Sequence, residues 1–295
     1  MEPEYGDGFR WSTRKRGDRR LRDAPGTFGR MALSSLHRRY LEILEVDVGS
    51  ASLPALRCLV RAQVHKVPFE NISKLYYWKA RGFRGVPSLE VYLDGIEYHG
   101  FGGTCYSNNP HFHGLLDALG YDARLHGADM SQPDVHTAIS VRLDGRRYHI
   151  DTGYAAPFDR PLPQDNDADA EIRLGNERWV LRPADAAGRW QMEHHRDGRL
   201  IHGYTVKPSE RVPSFFAPAI ADSFRPHSTF MKTLRLVRFG DGWSLGIQDY
   251  CVIRATRAGH EIERLDDRNE LIAVIADTFG IAPDKTQVAL GALGM

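Results

Sequence analysis

A cysteine delivered directly out of a glycine pair is the feature of this chain best suited to chemistry: Phe101-Gly102-Gly103-Thr104-Cys105-Tyr106-Ser107-Asn108-Asn109. Two adjacent glycines permit a tight bend and let a ligand lie against the main chain. Phe112, Leu115, Leu116 and Leu119 follow at helical spacing and Gly120 stops the pattern, so Cys105 falls at or near a helix N-terminus. Unpaired N–H groups and the positive end of the helix dipole favour the thiolate there, the form of cysteine that attacks electrophiles. Read alone, Cys105 is more simply a buried structural cysteine, because free cysteine is among the most buried residue types.

Two downstream residues alter that balance. His136 opens the alternating run His136-Thr137-Ala138-Ile139-Ser140-Val141, and Asp151 closes the next, Arg147-Tyr148-His149-Ile150-Asp151. Asp144-Gly145 between them is a two-residue hairpin signal. Strands paired about that turn bring His136 near Asp151, and with Cys105 they supply a nucleophile, a base and an orienting carboxylate.

These residues must be held by three kinds of segment. Leu36, Tyr40, Ile43 and Leu44, then Leu53, Leu56, Leu59, Val60 and Val64, repeat at helical spacing, and Pro68 ends the second helix. A short helix capped by Ser88 is expected to run to about Leu93. From Tyr121 to about Val206 the period becomes two, and the segments 121–126, 135–143, 147–151, 178–181 and 189–194 read as strands of a mostly antiparallel sheet or small barrel. Pro213 and Pro218 break a helical stretch, after which strands at 233–238, 243–248 and 250–255 precede a helix from Asp266 to Phe279.

With these pieces in place the chain resembles the arylamine N-acetyltransferase family. The family pattern is Arg-Gly-Gly-aromatic-Cys, then Glu or Gln and Asn, a later His at a strand start, and Asp-x-Gly-aromatic. Gly102, Gly103, Cys105, Asn109, His136, Asp151, Gly153 and Tyr154 match it, as do the upstream Val67-Pro68-Phe69-Glu70-Asn71 and the late Phe279-Gly280-Ile281. Phe101 replaces the usual Arg, Thr104 the aromatic and Ser107 the Glu or Gln; loss of both members of a buried ion pair is less costly than loss of one. The resemblance implies an α+β fold: an N-terminal helical domain carrying the cysteine, an antiparallel β-barrel or sheet domain carrying His and Asp, and a C-terminal α/β lid. The expected boundaries are a poorly ordered extension over residues 1–30, then 31–120, 121–208, an interdomain helical linker over 209–225, and 226–295.

It also implies acetyl transfer from acetyl-CoA to an arylamine, arylhydrazine or arylhydroxylamine through an acetyl-cysteine, with ping-pong kinetics. Cys105, His136 and Asp151 are the expected catalytic residues. Phe69, Phe101, Thr104, Tyr106 and Phe158 are expected at the acceptor. Gly102, Gly103, Thr104, Ser228 and Thr229 are expected at the acyl donor, with backbone N–H groups at Cys105 and near Thr104 as oxyanion donors. Other readings use the same residue types: an amide synthase taking a carrier-bound or longer acyl thioester, a cysteine peptidase or transglutaminase-like enzyme, and a non-catalytic binding module with a vestigial triad.

Composition narrows the field. The 295 residues are 42% hydrophobic and 26% charged, with a net charge of +1, so no global field draws the chain to nucleic acid or to an anionic membrane. No apolar run approaches the roughly 20 residues that span a bilayer, and the first thirty residues lack a secretory core, which predicts a cytoplasmic protein. Cys58, Cys105 and Cys251 form no disulfide framework, and Cys58 and Cys251 read as core packing. His99, His111 and His113 lack a carboxylate or second cysteine at zinc spacing, so no metal is expected and they read as polar residues at a cleft rim. Glu70 and Asn71 read as a polar cap beneath the site rather than as catalysts.

Overall fold

Serine caps open three of the first helices. Ser34, Ser52 and Ser88 accept the amide hydrogens of His37, Ala55 and Val91 and start α1 (Ser35–Leu44), α2 (Leu53–Lys66) and α4 (Leu89–His99). The computed structural model describes residues 33–165 and 167–295, and the expectation for residues 1–30 lies outside them. Pro68 follows α2 and leads into a two-residue strand, β1 (Phe69–Glu70), and then α3 (Ile72–Arg81). Helix α4 runs past the expected Leu93 until Gly100 turns left-handed at φ 65°. Helix α5 (Cys105–Ala118) begins at the cysteine itself. Cys58 lies on the solvent face of α2 and is exposed, and Cys251 is half-buried; neither is core packing.

An eight-stranded antiparallel sheet follows. It comprises β2 (Asp122–Asp129), β3 (His136–Leu143), β4 (Arg146–Ile150), β5 (Leu162–Pro163), β6 (Ala170–Leu174), β7 (Glu177–Leu181), β8 (Trp190–Arg196) and β9 (Arg199–Glu210), in the order β5-β4-β3-β2-β9-β8-β7-β6. Asp144 and Gly145, at φ 51° and 75°, form the β3–β4 turn with both central residues left-handed, as Asp-Gly predicts. Residues 213–216 form a single 3₁₀ turn that runs into α6 (Ala217–Asp222), a broken helix set by Pro213 and Pro218.

The remaining strands, β10 (Arg235–Gly240), β11 (Trp243–Gln248), β12 (Cys251–Thr256) and β13 (Gly259–Arg264), form a second antiparallel sheet backed by α7 (Arg268–Phe279) and α8 (Pro283–Leu293). Its outermost strand beside β10 is β1, supplied by the N-terminal half. Leu56, Leu59, Phe112 and Leu116 pack against Leu125, Ile139 and Val141 to join the helices to the first sheet. Ile72 and Leu75 of α3 pack with Leu236, Ile275 and Leu290 in a second core. The α+β class is therefore as the resemblance implies, while α3, β1, β5, β6, β9, β13 and α8 go beyond the elements that periodicity marks.

Candidate active site

The site is assembled by close backbone approaches that only glycine permits. Gly102 sits so near β1 that a Cβ there would lie 1.9 Å from the Pro68 carbonyl oxygen, and Phe69 bridges Gly103 in parallel. The Glu70 carboxylate locks this corner by accepting the amides of Gly102 at 3.0 Å and Ser73 at 2.8 Å. Burial raises its pKa, and those amide donors pull the other way. Phe101, in the place of the usual arginine, is 1% exposed among the rings of Tyr76, Tyr77 and His99. On the other flank, a Cβ at Gly153 would lie 2.4 Å from the Cα of Cys105. The chain leaving β4 thus runs directly against the first turn of α5.

The hairpin register then explains how His136 and Asp151 meet. Ile139 pairs with Ile150, which sets Asp151 opposite Ala138, two residues from His136 on the same face. His136 Nε2 lies 2.7 Å from Asp151 Oδ2, both groups buried. Its Nδ1 is left for the sulfur, and the Cys105 thiol interacts with the same imidazole by charge and hydrogen bonding. Burial disfavours the imidazolium, but Asp151 and Cys105 outweigh it and raise the pKa to about 10. Burial likewise disfavours the Asp151 carboxylate, and His136 and Asn109 overcome it, lowering the pKa to about 2.

Asp151 is the most heavily supported group in the site. Oδ1 accepts Asn109 Nδ2 and the Gly153 amide, each at 2.9 Å, and Oδ2 accepts the Tyr204 hydroxyl at 2.7 Å in addition to His136. Behind Tyr204 a directional chain continues. The Trp190 indole, a donor only, gives its hydrogen to His149 Nδ1 at 3.2 Å, which fixes the hydrogen of the neutral ring on Nε2. That nitrogen faces the Tyr204 oxygen at 3.0 Å, and burial keeps the His149 pKa down at about 4. Thr137 adds a hydrogen bond to the Cys105 carbonyl at 2.9 Å. Spacing singles out none of Tyr204, His149, Trp190 or Thr137; the inward phase of β9, with Tyr204 and Val206 both buried, is the signal that points to Tyr204.

The residues expected at the acceptor separate. Phe101, Thr104 and Tyr106 line a pocket behind the first turn of α5 with Lys74 and Phe224, and neither Cys105 nor His136 lines it. Phe69 meets Phe230, ring centroids 5.8 Å apart. Phe158 stacks under Tyr154 at 6.1 Å, and Tyr154 is edge-on to His136 at 5.8 Å. Ser228 precedes a 3₁₀ turn over Thr229–Met231 and donates its hydroxyl to the Asp222 carbonyl. Asn71 joins this region to the site, its Nδ2 donating to the carbonyls of Phe230 and Thr233 and its Oδ1 accepting the Arg235 amide. His111 bonds the Pro87 carbonyl, His113 bonds that of Ala123, and His99 packs on Phe101. A separate group, His65, Asp159 and Asp241, has potential ligand atoms within 4.8 Å of one another, and Arg61 spans its two carboxylates.

A cysteine at a helix start, facing a histidine fixed by a carboxylate on an α+β scaffold, defines the class of proteins with a Cys-His-Asp site. The family profile described as N-acetyltransferase matches residues 52–288, and the chain belongs to that family, the arylamine N-acetyltransferases. It is 22% identical to human arylamine N-acetyltransferase 1 over 202 residues, 61% of this chain and 66% of the human one, so the alignment spans just under two thirds of that relative. The arylamine N-acetyltransferase of Mycobacterium abscessus superposes with a TM-score of 0.75 at 19% identity, covering 88% of this chain and 94% of that one. That of Mycobacterium marinum, solved in complex with CoA, superposes at 0.73 with 20% identity, covering 86% and 97%. No described helix is long and apolar enough to cross a membrane.

Proposed function

We propose that this protein transfers an acetyl group from acetyl-CoA to the nitrogen of an aromatic amine, hydrazine or hydroxylamine, with Cys105 as nucleophile, His136 as base and acid, and Asp151 as the group that orients the ring. The observation carrying this reading is the 2.7 Å contact of His136 with Asp151, which turns the other ring nitrogen to Cys105. His136, already holding the thiol proton as imidazolium, keeps Cys105 as the thiolate that adds to the thioester carbonyl, and the oxyanion is met by backbone N–H groups at Cys105 and near Thr104. Collapse breaks the C–S bond to CoA, whose thiolate recovers the proton from His136, and acetyl-Cys105 remains. The amine then adds to this thioester, its proton passes to His136, and the C–S bond breaks to release the amide and the Cys105 thiolate. Two half-reactions through one site give ping-pong kinetics. CoA bound to the Mycobacterium marinum relative supports the donor, and family membership supports the acceptor class.

Intact-mass measurement after incubation with acetyl-CoA tests the reading. One acetyl group is expected on the native chain, removed by an added arylamine, and none on Cys105→Ala. Acetylation that persists in Cys105→Ala rejects the nucleophile, and a native chain inert to CoA esters yet acylated by carrier-bound thioesters identifies an amide synthase instead.

A further inference from the structure

A lysine with no carboxylate partner among the described residues lines a cavity that the acylation chemistry leaves unused. Lys74 of α3 gives two of its three N–H donors to Ser223, one to the carbonyl and one to the hydroxyl oxygen, each at 2.7 Å, and its ammonium lies 4.2 Å over the Phe224 ring. Ser223 is the C-cap of α6, so these bonds also close that helix. Burial lowers the pKa of Lys74 to about 8, which leaves it a cation at neutral pH. The cavity, behind the first turn of α5, holds about 30 Å³ and is walled by Phe101, Tyr106 and Phe224. Beside it, between α5 and α6, a groove of about 370 Å³ is lined by Pro110, Pro213, Ala217 and Ala221. The two share Gly85, Val86, Tyr106 and Ile220 as walls; no acidic residue lines either, and Arg84 lies in the wall of the groove. His111, the other titratable ring there, is neutral, because burial lowers its pKa to about 4. A desolvated cation without a counter-charge is costly, and a carboxylate is the group that offsets it by a charge-assisted hydrogen bond. At roughly 10–15 Å³ per enclosed water the inner cavity admits a two-oxygen head group and no ring, whereas the groove exceeds the roughly 150 Å³ in which an apolar cavity takes up benzene.

We propose that Lys74 and the groove beside it form a binding site for an apolar monocarboxylic acid, separate from the acylation site. The carboxylate enters the inner cavity and takes the remaining Lys74 N–H, while the aryl or alkyl body fills the groove between Val86, Ile220 and Ala217. Gly85, the shared wall residue without a side chain, is where the molecule passes from one to the other. Two cations and no acid in the lining turn away amines, so the site selects a charge class opposite to that of a protonated amine. Neither Cys105 nor His136 lines it, and binding there does not depend on the transferase reading.

Calorimetric titration of the native chain at pH 7 with 3-phenylpropanoate and with its neutral isostere 3-phenylpropanamide reads the site directly, since neither carries an amine that could be acylated. The acid should bind at least about tenfold more tightly than the amide. Lys74→Met should bring the two affinities together. Ala217→Trp, at an exposed position of α6, fills the groove and should weaken both ligands at least about tenfold. This second variant keeps the test decisive should loss of the bonds to Ser223 prevent Lys74→Met from folding. A native chain that binds neither ligand, or both equally, overturns the proposal. So does an acid preference that survives in Lys74→Met, or an affinity undiminished in Ala217→Trp.

Discussion

Asp151 works by holding charge in a place where burial resists it, and His136 depends on that charge. Asp151→Asn keeps the shape and removes the charge, so burial then governs the imidazole and its raised pKa falls. The rate of Cys105 acetylation should drop by about 10³-fold or more, on the scale seen when a triad loses its orienting carboxylate, and an intact-mass time course measures it. The same pair predicts a pH window for stability. The contribution of His136, whose pKa is raised from 6.5 to about 10, is complete below 6.5 and lost as pH climbs through about 10. That of Asp151, lowered from 3.8 to about 2, is present above 3.8 and lost as pH falls through about 2. Urea unfolding should therefore show native chain and Asp151→Asn differing by roughly 3 kcal/mol between these limits, with the gap closing toward either extreme. Cys105, His136 and Asp151 are legible in sequence because each announces itself locally, by a glycine pair, a strand start and a hairpin end. Tyr204 and His149 are not, because what matters about them is a hydrogen bond made across strands.

The elements around the site depend on glycines that lie outside any turn. Gly153→Ala would drive a methyl into the first turn of α5, 2.4 Å from the Cα of Cys105, and Gly102→Ala would drive one into the Pro68 carbonyl oxygen. Backbone cannot yield as a flexible side chain does, so each change should cost on the order of 3 kcal/mol or more, read as a fall in thermal midpoint. Gly145→Ala, in the open β3–β4 turn with nothing near its missing Cβ, is strained only by its φ of 75° and should cost about 1 kcal/mol. A midpoint lowered equally by all three would refute the close-approach account. The Asp144-Gly145 hairpin can be predicted because its turn chemistry is contained in two residues. β1 cannot, because two residues carry no period and its partner, β10, lies far along the chain. β13 escapes for a related reason: most of its side chains are exposed, and no buried face imposes alternation.

At the scale of the whole molecule, the far C-terminus reaches the site through packing alone. Helix α8 buries Thr286, Ala289 and Leu290, and its residues share a core with Ile72 and Leu75 of α3. α3 begins at Ile72, directly after Glu70, which fixes the Gly102 corner, and Asn71, which fixes β10. Its short run of small and apolar residues, Ala289, Leu290, Gly291 and Ala292, shows little helical periodicity, so α8 has no clear sequence signature. Deleting residues 282–295 exposes that side of α3 and removes the burial of at least one leucine, a loss on the order of 2–4 kcal/mol. The truncated chain should show a lower thermal midpoint and slower acetylation of Cys105, although no triad residue has been changed. A truncation that lowers the midpoint but leaves the acetylation rate intact at a temperature well below it would mean that β1 and the Gly102 corner hold their geometry without α3 being braced from behind.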